Sequence, residues 1–151
     1  MKPFHGKLKS LDNGQCREFL EKHNFAHLAC QHEGKIHVVP INYMYVDGFI
    51  YSHSKEGRKL DILRKNAAFC IQVEKIENFS RWRSVIAHGN FEELTADSGA
   101  SAMRLLIEKL AEDGDGPALS ALELDFAAFM QASVVFRMKV LELSGVREGY
   151  E

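Results

Sequence analysis

One nine-residue segment, residues 51–59, combines the residue types that proteins use to bind phosphate. Two serines flank a histidine, and a glycine then precedes the adjacent cations Arg58 and Lys59. We predict that a helix begins at the glycine, which puts both cations in its first turn, where positive charge opposes the helix dipole. Backbone N–H groups, the hydroxyls of Ser52 and Ser54 and the two cations could together hold a phosphate dianion. Two solvated surface cations are the alternative interpretation of the pair.

The histidine of this segment, His53, is the candidate catalytic residue. It could donate a hydrogen bond to the phosphate, and a loop histidine bonded to the backbone is an equally good interpretation. His37 and His88 flank the strands that would form a cleft, and either could instead point to solvent. The other four of the seven histidines are assigned to the surface or to structural roles.

A second unusual feature is Pro40, which falls in the middle of the strand-like run from His37 to Tyr43. Proline has no N–H for a ladder, so it belongs at a sheet edge, at a bulge or where a ligand approaches the backbone. From Pro40 alone we favour an edge strand.

Strands dominate the elements that must position these residues. The pairs Glu33-Gly34 and Asp47-Gly48 are typical of two-residue hairpin turns, and the polar residues 76–81 predict a loop. Alternation predicts six strands: residues 25–31, 35–46, 49–54, 67–75, 82–94, and a last strand with Val134, Phe136, Met138 and Val140 on one face. Four helices are predicted: one capped by Asp12 and ending near Asn24, residues 57–65, about 97–112, and one that a capping box starts at Ser120.

Strands joined mostly by hairpins cannot form the alternating βαβ pattern of a parallel sheet. The predicted fold is therefore mainly β within an α+β chain, a six-stranded antiparallel barrel with peripheral helices, because closure removes exposed strand edges. Side chains fill a barrel of this size, so a cofactor must lie outside it or at a subunit interface. The 151 residues fit one domain.

Composition argues against several classes of protein. The net charge is -2, and the 19 basic residues are scattered among 21 acids, which argues against a nucleic-acid partner. No stretch is typical of a secretory signal or a membrane span, so we expect a cytoplasmic protein without a membrane partner. Three separated cysteines, Cys16, Cys30 and Cys70, are expected to be small buried side chains. The sequence has no CxxC pair, so no metal site is predicted.

Four runs, in this order and spacing, carry a resemblance to a known family. They are Val39-Pro-Ile-Asn42, then Ile50-Tyr-Ser-His-Ser54, then Glu56-Gly-Arg-Lys59 with residues 61–66, then Arg83-Ser-Val-Ile-Ala-His-Gly89. The chain resembles the pyridoxamine 5′-phosphate oxidase-like FMN-binding split β-barrels, and within them the nitroimidazole-resistance-type branch. The match spans roughly residues 25–94, resumes weakly at 134–145 and leaves out a helical insert at about 97–131.

The resemblance implies a homodimer with FMN in two clefts at the subunit interface, with FAD as the alternative flavin. Arg58 and Lys59 would bind the phosphate, and Ser84, with Arg83 beside it, would approach the flavin ring from the neighbouring strand. Two further stretches would line the cofactor. The flavin ring would be lined, mainly through backbone, by Val39, Pro40, Ile41 and Asn42. The ribityl chain and phosphate would be lined by Tyr51, Ser52, His53 and Ser54. One departure is Val146, where a lysine is expected straight after the glycine.

Three functions follow as expectations. The first is an FMN-dependent oxidoreductase that passes electrons from NADH or NADPH to a small acceptor such as a nitroaromatic. The second is a haem-binding or haem-degrading split barrel with His53 or His88 as the iron ligand. The third is a flavin-binding stress protein without turnover. Oxidation of pyridoxamine phosphate itself is disfavoured, because the chain is short and has no further basic cluster for a second phosphorylated ligand.

Overall fold

In the computed structural model of the chain, residues 7–112 and 133–149 are described. They form eight strands and three helices, given in chain order at the end of this paragraph. All pairings between strands are antiparallel, as predicted. The elements are β1 (Leu8–Ser10), α1 (Asn13–Lys22), β2 (Phe25–His32), β3 (Lys35–Asn42), β4 (Met44–Val46), β5 (Phe49–Ser54), α2 (Arg58–Lys65), β6 (Ala68–Asn78), β7 (Arg81–Leu94), α3 (Ala96–Glu112) and β8 (Val134–Glu148).

One sheet contains all eight strands. Its hydrogen-bonded order is β3-β2-β6-β7-β8-β5-β4, and β1 pairs with β8 outside this path. β8 pairs with β7 over most of its length, with β5 along its first part and with β1 along its last part. The predicted mainly antiparallel, split-barrel fold is confirmed. The predicted count of six strands is wrong. The structure adds β1, which is only three residues long and was not predicted, and it divides the run 35–46 into two strands.

Tyr43 divides that run into β3 and β4. Its side chain is fully buried, and its hydroxyl donates to the carbonyl of Leu20 at 2.8 Å. Its backbone N–H donates to the carbonyl of Asn24 at 2.9 Å instead of joining a ladder. The chain therefore leaves one edge of the sheet at β3 and enters the opposite edge at β4 within a single residue, which curls the sheet until its edges approach.

The local turn predictions are confirmed. Glu33 and Gly34 have φ values of 51° and 78°, and Asp47 and Gly48 have values of 50° and 83°. Positive φ at both central residues is the geometry of the type I′ turns that join twisted hairpins. The edge position predicted for Pro40 is also confirmed, because β3 is the first strand in the sheet order.

The predicted loop at residues 76–81 is wrong. β6 continues to Asn78 and β7 begins at Arg81, so only Phe79 and Ser80 form the turn. The Asn78 side chain accepts hydrogen bonds from the backbone N–H and the hydroxyl of Ser80. This end of the hairpin extends beyond the core, with Ile76 64% exposed, so it has no apolar alternation that a sequence pattern could detect.

Two buried clusters hold the elements together. The larger fills the inside of the curled sheet and includes Leu28, Ile71, Val85 and Phe136, with Leu60 and Leu63 of α2 inserted as predicted. The smaller lies between α3 and the outer side of β4, β5 and β8, and it contains Met44, Ala102, Met103, Leu106, Ile107 and Val135. Cys16 and Cys30 are buried as predicted, Cys70 is half-buried, and all three are free thiols.

The helices follow their capping signals. The Asp12 side chain accepts from the Gln15 N–H, and the Gln15 side chain accepts from the Asp12 N–H, which completes a capping box for α1. α2 ends at Lys65 with Asn66 as its C-cap, and α3 begins one residue before the prediction. The helix predicted at Ser120 and most of the insert lie outside the described residues. No helix within residues 7–112 and 133–149 is both long and apolar enough to cross a membrane.

Gly89, the one glycine of β7, lies where a side chain has no room. A Cβ there would collide with the carbonyl of Lys139 and the side chain of Met138, at the bulge where β7 shifts register against β8. We expect Gly89→Ala to lower the free energy of unfolding by about 1–3 kcal/mol, measured by urea denaturation. Gly57→Ala is the control, because a Cβ there meets nothing within 4 Å, and it should change stability by no more than about 0.5 kcal/mol. Equal stability of the two variants would contradict the close approach.

Candidate functional site

β3 presents alternate side chains to opposite sides of the sheet. Ile41 is buried and Val39 packs against the larger cluster, so both point into the core. Pro40 and Asn42 point outward, where Pro40 is opposite His27 of β2. Among the four predicted residues of β3, only these two side chains can meet a ligand, and Val39 and Ile41 could contribute only backbone, as the resemblance implied.

Ser52 closes the gap between the two edges of the sheet. Its hydroxyl is buried and donates to the carbonyl of Asn42 at 2.5 Å. The hydroxyl proton is therefore already used, and the expected contact of the Ser52 side chain with a phosphate is not available in this arrangement. Ser54 is half-buried and donates to the carbonyl of Lys55 at 2.9 Å, a surface bond that a stronger acceptor could replace.

Tyr51 and His53 project from the other face of β5. Tyr51 packs against the smaller cluster, and its hydroxyl accepts from the Arg137 guanidinium at 3.5 Å. His53 is half-buried and lies opposite Val135 of β8. The two predicted side chains thus share a face under which α3 also packs, whereas Ser52 points the opposite way.

The start of α2 matches the predicted position, with Gly57 as its N-cap. No side chain caps this end, and the first N–H with an intrahelical partner is that of Asp61, which donates to Gly57 at 3.1 Å. The N–H groups of Arg58, Lys59 and Leu60 precede it and have no helical acceptor. Three backbone donors and two cations therefore occupy one turn.

The two cations of this turn, Arg58 and Lys59, form no ion pair with a carboxylate of the described residues, although Asp61 lies in the same turn. Burial lowers the pKa of the Lys59 ammonium, an effect that the nearby Cys30 opposes. Burial also lowers the pKa of His53, and the charge of Lys59 lowers it further. Positive charge is thus disfavoured at both side chains, and a bound anion would relieve this.

Two other acids near the turn, Glu56 and Glu93, are bound by Arg64, whereas Asp61 in the first turn of α2 forms no ion pair within the described part of the chain. Arg64 holds Glu56 with two hydrogen bonds of 2.7 and 2.8 Å and Glu93 of β7 with one of 2.9 Å. This clasp fixes the loop before α2 and neutralises the acid next to Gly57. Sequence analysis missed it because Glu56 and Arg64 are eight positions apart and Glu93 is distant in the chain.

A cavity of about 440 Å³ lies between α2 and the β2–β3 hairpin. Its wall contains Arg58, His32, His37 and the outward-facing Ile36, but none of the other predicted site residues. Arg58 therefore connects the start of α2 to an open space beside the edge strand β3.

The structure places Ser84 on β7, away from the edge strand β3. Its hydroxyl does face outward, where it accepts from Gln72 at 3.0 Å. However, β2 and β6 separate β7 from β3, so Ser84 lies three strand spacings, roughly 14 Å, from the backbone of Pro40. Arg83 cannot accompany it, because neighbouring residues of a strand point to opposite faces and Arg83 lies over the inward ring of Phe19.

The departure at the end of β8 affects the same outward surface. Val146 is directly opposite Ser84 and is 39% exposed, so an apolar side chain stands where a lysine was expected. Arg147 follows it and faces inward, opposite Arg83. Within the described part of the chain, no group of three His, Cys, Asp or Glu side chains could hold a metal ion.

Comparison with known proteins identifies the family. A sequence profile described as pyridoxamine 5′-phosphate oxidase matches residues 12–147. The chain belongs to this family. A protein of Rhizobium meliloti with no assigned function is 27% identical over 105 residues, which are 70% of each chain.

Two solved structures of the same fold span nearly the whole chain. An FAD-binding protein of Mesorhizobium loti is 27% identical, with a TM-score of 0.72 over 94% of this chain and 99% of its own. A candidate 5-nitroimidazole antibiotic resistance protein of Bacteroides thetaiotaomicron is 19% identical, with a TM-score of 0.72 over 93% of this chain and 89% of its own. The family resemblance found in the sequence is confirmed.

The interaction of His53 with Lys59 can be measured by NMR titration. We expect His53 to titrate below its ordinary pKa of about 6.5, and Lys59→Met to raise the midpoint because it removes the neighbouring charge. In the parent protein, the unfolded chain binds a proton at His53 more tightly than the folded protein does. Protonation of His53 should therefore lower the free energy of unfolding as the pH falls below about 6.5. Lys65→Met removes one charge at the other end of α2 and is the control. A midpoint that stays the same in Lys59→Met would refute the coupling.

Proposed function

We propose that this protein binds a flavin nucleotide, FMN in the first instance, with its phosphate at the start of α2. The observation that carries the proposal is the uncapped helix end whose Arg58 and Lys59 have no carboxylate partner among the described residues. A dianion there would accept from backbone N–H groups and from both cations, and arginine offers bidentate geometry. The likeness to an FAD-binding protein at 27% identity supports a flavin as the ligand.

The rest of the flavin would follow the seam where the sheet edges meet. β5 ends at Ser54 next to α2, and the bond from Ser52 to Asn42 brings β5 against β3. A ribityl chain that leaves the phosphate along the end of β5 would direct the ring to the outward side of Pro40 and Asn42. The cavity beside Arg58 leaves room for a planar ring, and so does the outer edge of β3, which has no neighbouring strand in the sheet order.

We also propose that a second copy of the chain covers this ring. The outward face of β2 and β3 has three large apolar side chains that are more than half exposed: Phe25 at 56%, Ile36 at 76% and Val38 at 57%. Ile36 and Val38 are neighbours on this face of β3, and Phe25 lies near the other end of the face, opposite Asn42. Exposed apolar side chains that form a contiguous patch mark interaction surfaces. Ser84 and Val146 lie too far from β3 to reach easily the flavin bound beside β3 of their own chain. In a dimer they could contact the flavin bound to the partner.

The bound flavin would supply two-electron chemistry, and the acceptor that we propose is a small nitroaromatic with NADH or NADPH as the donor. The chain itself would contribute binding and orientation. His53 with its lowered pKa is neutral near pH 7 and can donate one hydrogen bond, and a phosphate dianion beside it would raise that pKa again. We therefore assign His53 to the phosphate rather than to proton transfer.

The paired cations provide the binding test. Replacement of Arg58 and Lys59 together by alanine should remove two charge-assisted contacts of about 1.5–3 kcal/mol each, so FMN affinity should fall on the order of 10²- to 10⁴-fold. Isothermal titration of the purified protein with FMN and with FAD measures this loss.

The matched control is Lys75→Ala with Lys139→Ala, which removes the same charge from exposed positions on β6 and β8. It should retain FMN affinity. If the Arg58 and Lys59 variant binds FMN as tightly as the control does, the phosphate site is wrong.

The redox function has a separate test. We expect the protein to show flavin absorption after FMN addition, to bleach with NADH or NADPH under anaerobic conditions, and to recover its colour when a nitroaromatic is added. A flavin that binds but is not reduced would indicate the flavin-binding protein without turnover. A Soret band with haem and no flavin uptake would overturn the proposal in favour of the haem alternative. Light scattering of the flavin-loaded protein tests the dimer.

A further inference from the structure

Four cations lie directly opposite one another across the sheet, away from α2. The registers place Lys75 of β6 opposite Arg83 of β7, Arg83 opposite Arg147 of β8, and Arg147 opposite Lys9 of β1. Like charges at directly opposed positions destabilise a sheet, so this row favours a nearby negative charge. The two central arginines are half-buried, and the lysines at both ends are exposed.

Arg147 has an unused donor in a buried place. Its Nε is buried and has no hydrogen-bond partner among residues 7–112 and 133–149. A buried donor without an acceptor reduces stability, and more so for a charged group. Oxygen atoms of a ligand beside Arg147 would remove this defect.

Both arginines line one pocket. It has a volume of about 270 Å³ and lies between α1 and the sheet, with Phe19, Gln15 and Glu18 also in its wall. The guanidinium carbon of Arg83 is 5.2 Å from the centre of the Phe19 ring. Such stacking uses the face of a guanidinium, and the charge of Arg83 lies opposite Arg147 on the neighbouring strand.

The acid in the pocket wall does not fill the role of counter-ion. Glu18 binds Lys22 at 2.9 Å along α1, and both side chains are mostly exposed, at 65% and 68%. Gln15 uses its carbonyl oxygen to accept from the Asp12 N–H, so its amide nitrogen remains a donor. The polar groups inside the pocket are therefore mainly donors, which is the composition of an anion site.

We propose that Arg147, with the charge of Arg83 beside it, binds a small oxyanion, the carboxylate or phosphate group of a small molecule, in this pocket under α1. A volume below the roughly 300–1,000 Å³ of sites for drug-sized ligands restricts the ligand to a small anion. Arg83 faces away from Ser84, and the pocket shares no residue with the start of α2. The site is therefore separate from the proposed flavin site and does not depend on it.

The test uses the Arg58→Ala, Lys59→Ala protein, so that phosphate bound at α2 does not contribute and the result is independent of flavin binding. Inorganic phosphate and acetate are titrated separately while NMR follows the Nε–H signals of the arginines. We expect the signals of Arg83 and Arg147 to shift to saturation. Tighter binding of acetate would identify a carboxylate ligand, and tighter binding of phosphate would identify a phosphate ligand.

Two further substitutions at Arg147 make the test decisive. Arg147→Gln should weaken binding at least tenfold, and Arg147→Lys, which keeps the charge without the planar fork, should weaken it less. Lys139→Gln, an exposed change on the same strand, should leave binding unaltered. If Arg147→Gln does not fold, the anion affinity of Arg147→Lys is compared with that of Lys139→Gln, and a weaker affinity in Arg147→Lys supports the site. Signals that do not move with either anion, or equal affinities in the Arg147 variants and the parent, would overturn the proposal.

Discussion

Tyr43 is the only residue between the two edge strands of the sheet, and the shape of the sheet depends on how this residue is held. Its hydroxyl and its backbone N–H both donate to carbonyls at the end of α1, those of Leu20 and Asn24. Burial strongly raises the pKa of the Tyr43 hydroxyl, so it keeps its proton as a donor. The position of α1 thus fixes where the strand bends, and the bend brings Asn42 within reach of Ser52.

The candidate site follows from this closure. β5 ends where the edges meet, so α2 starts beside the seam with its free N–H groups and its two cations. Arg64 binds Glu56 and Glu93, and neither Arg58 nor Lys59 forms an ion pair with a described carboxylate. The unfavourable placement of cations at a helix start and the favourable binding of a phosphate are then two aspects of one arrangement.

Sequence reasoning succeeded where structure is determined by neighbours in the chain. The glycines after Glu33 and Asp47, the capping box of Asp12 and the glycine before Arg58 each specify a backbone geometry within a few residues. It failed where contacts between distant segments decide. Nothing local marks the break at Tyr43, whose partners lie on α1, or the internal use of the Ser52 hydroxyl. The separation of Ser84 from β3 depends on strand order, which a six-strand count with hairpin connections did not specify.

β8 has a consequence for the way the chain folds. It is the last described strand, and it pairs with β7, β5 and β1. Until residues 134–148 arrive, β1 has no strand partner, and β5 and β7 have only β4 and β6. The hairpins β2–β3 and β6–β7 can form while the chain emerges from the ribosome, but the sheet cannot. Pairing over such long sequence separations is slow and leaves strand edges open to other chains in the meantime. Nascent chains of this protein are therefore most prone to aggregation just before β8 is released.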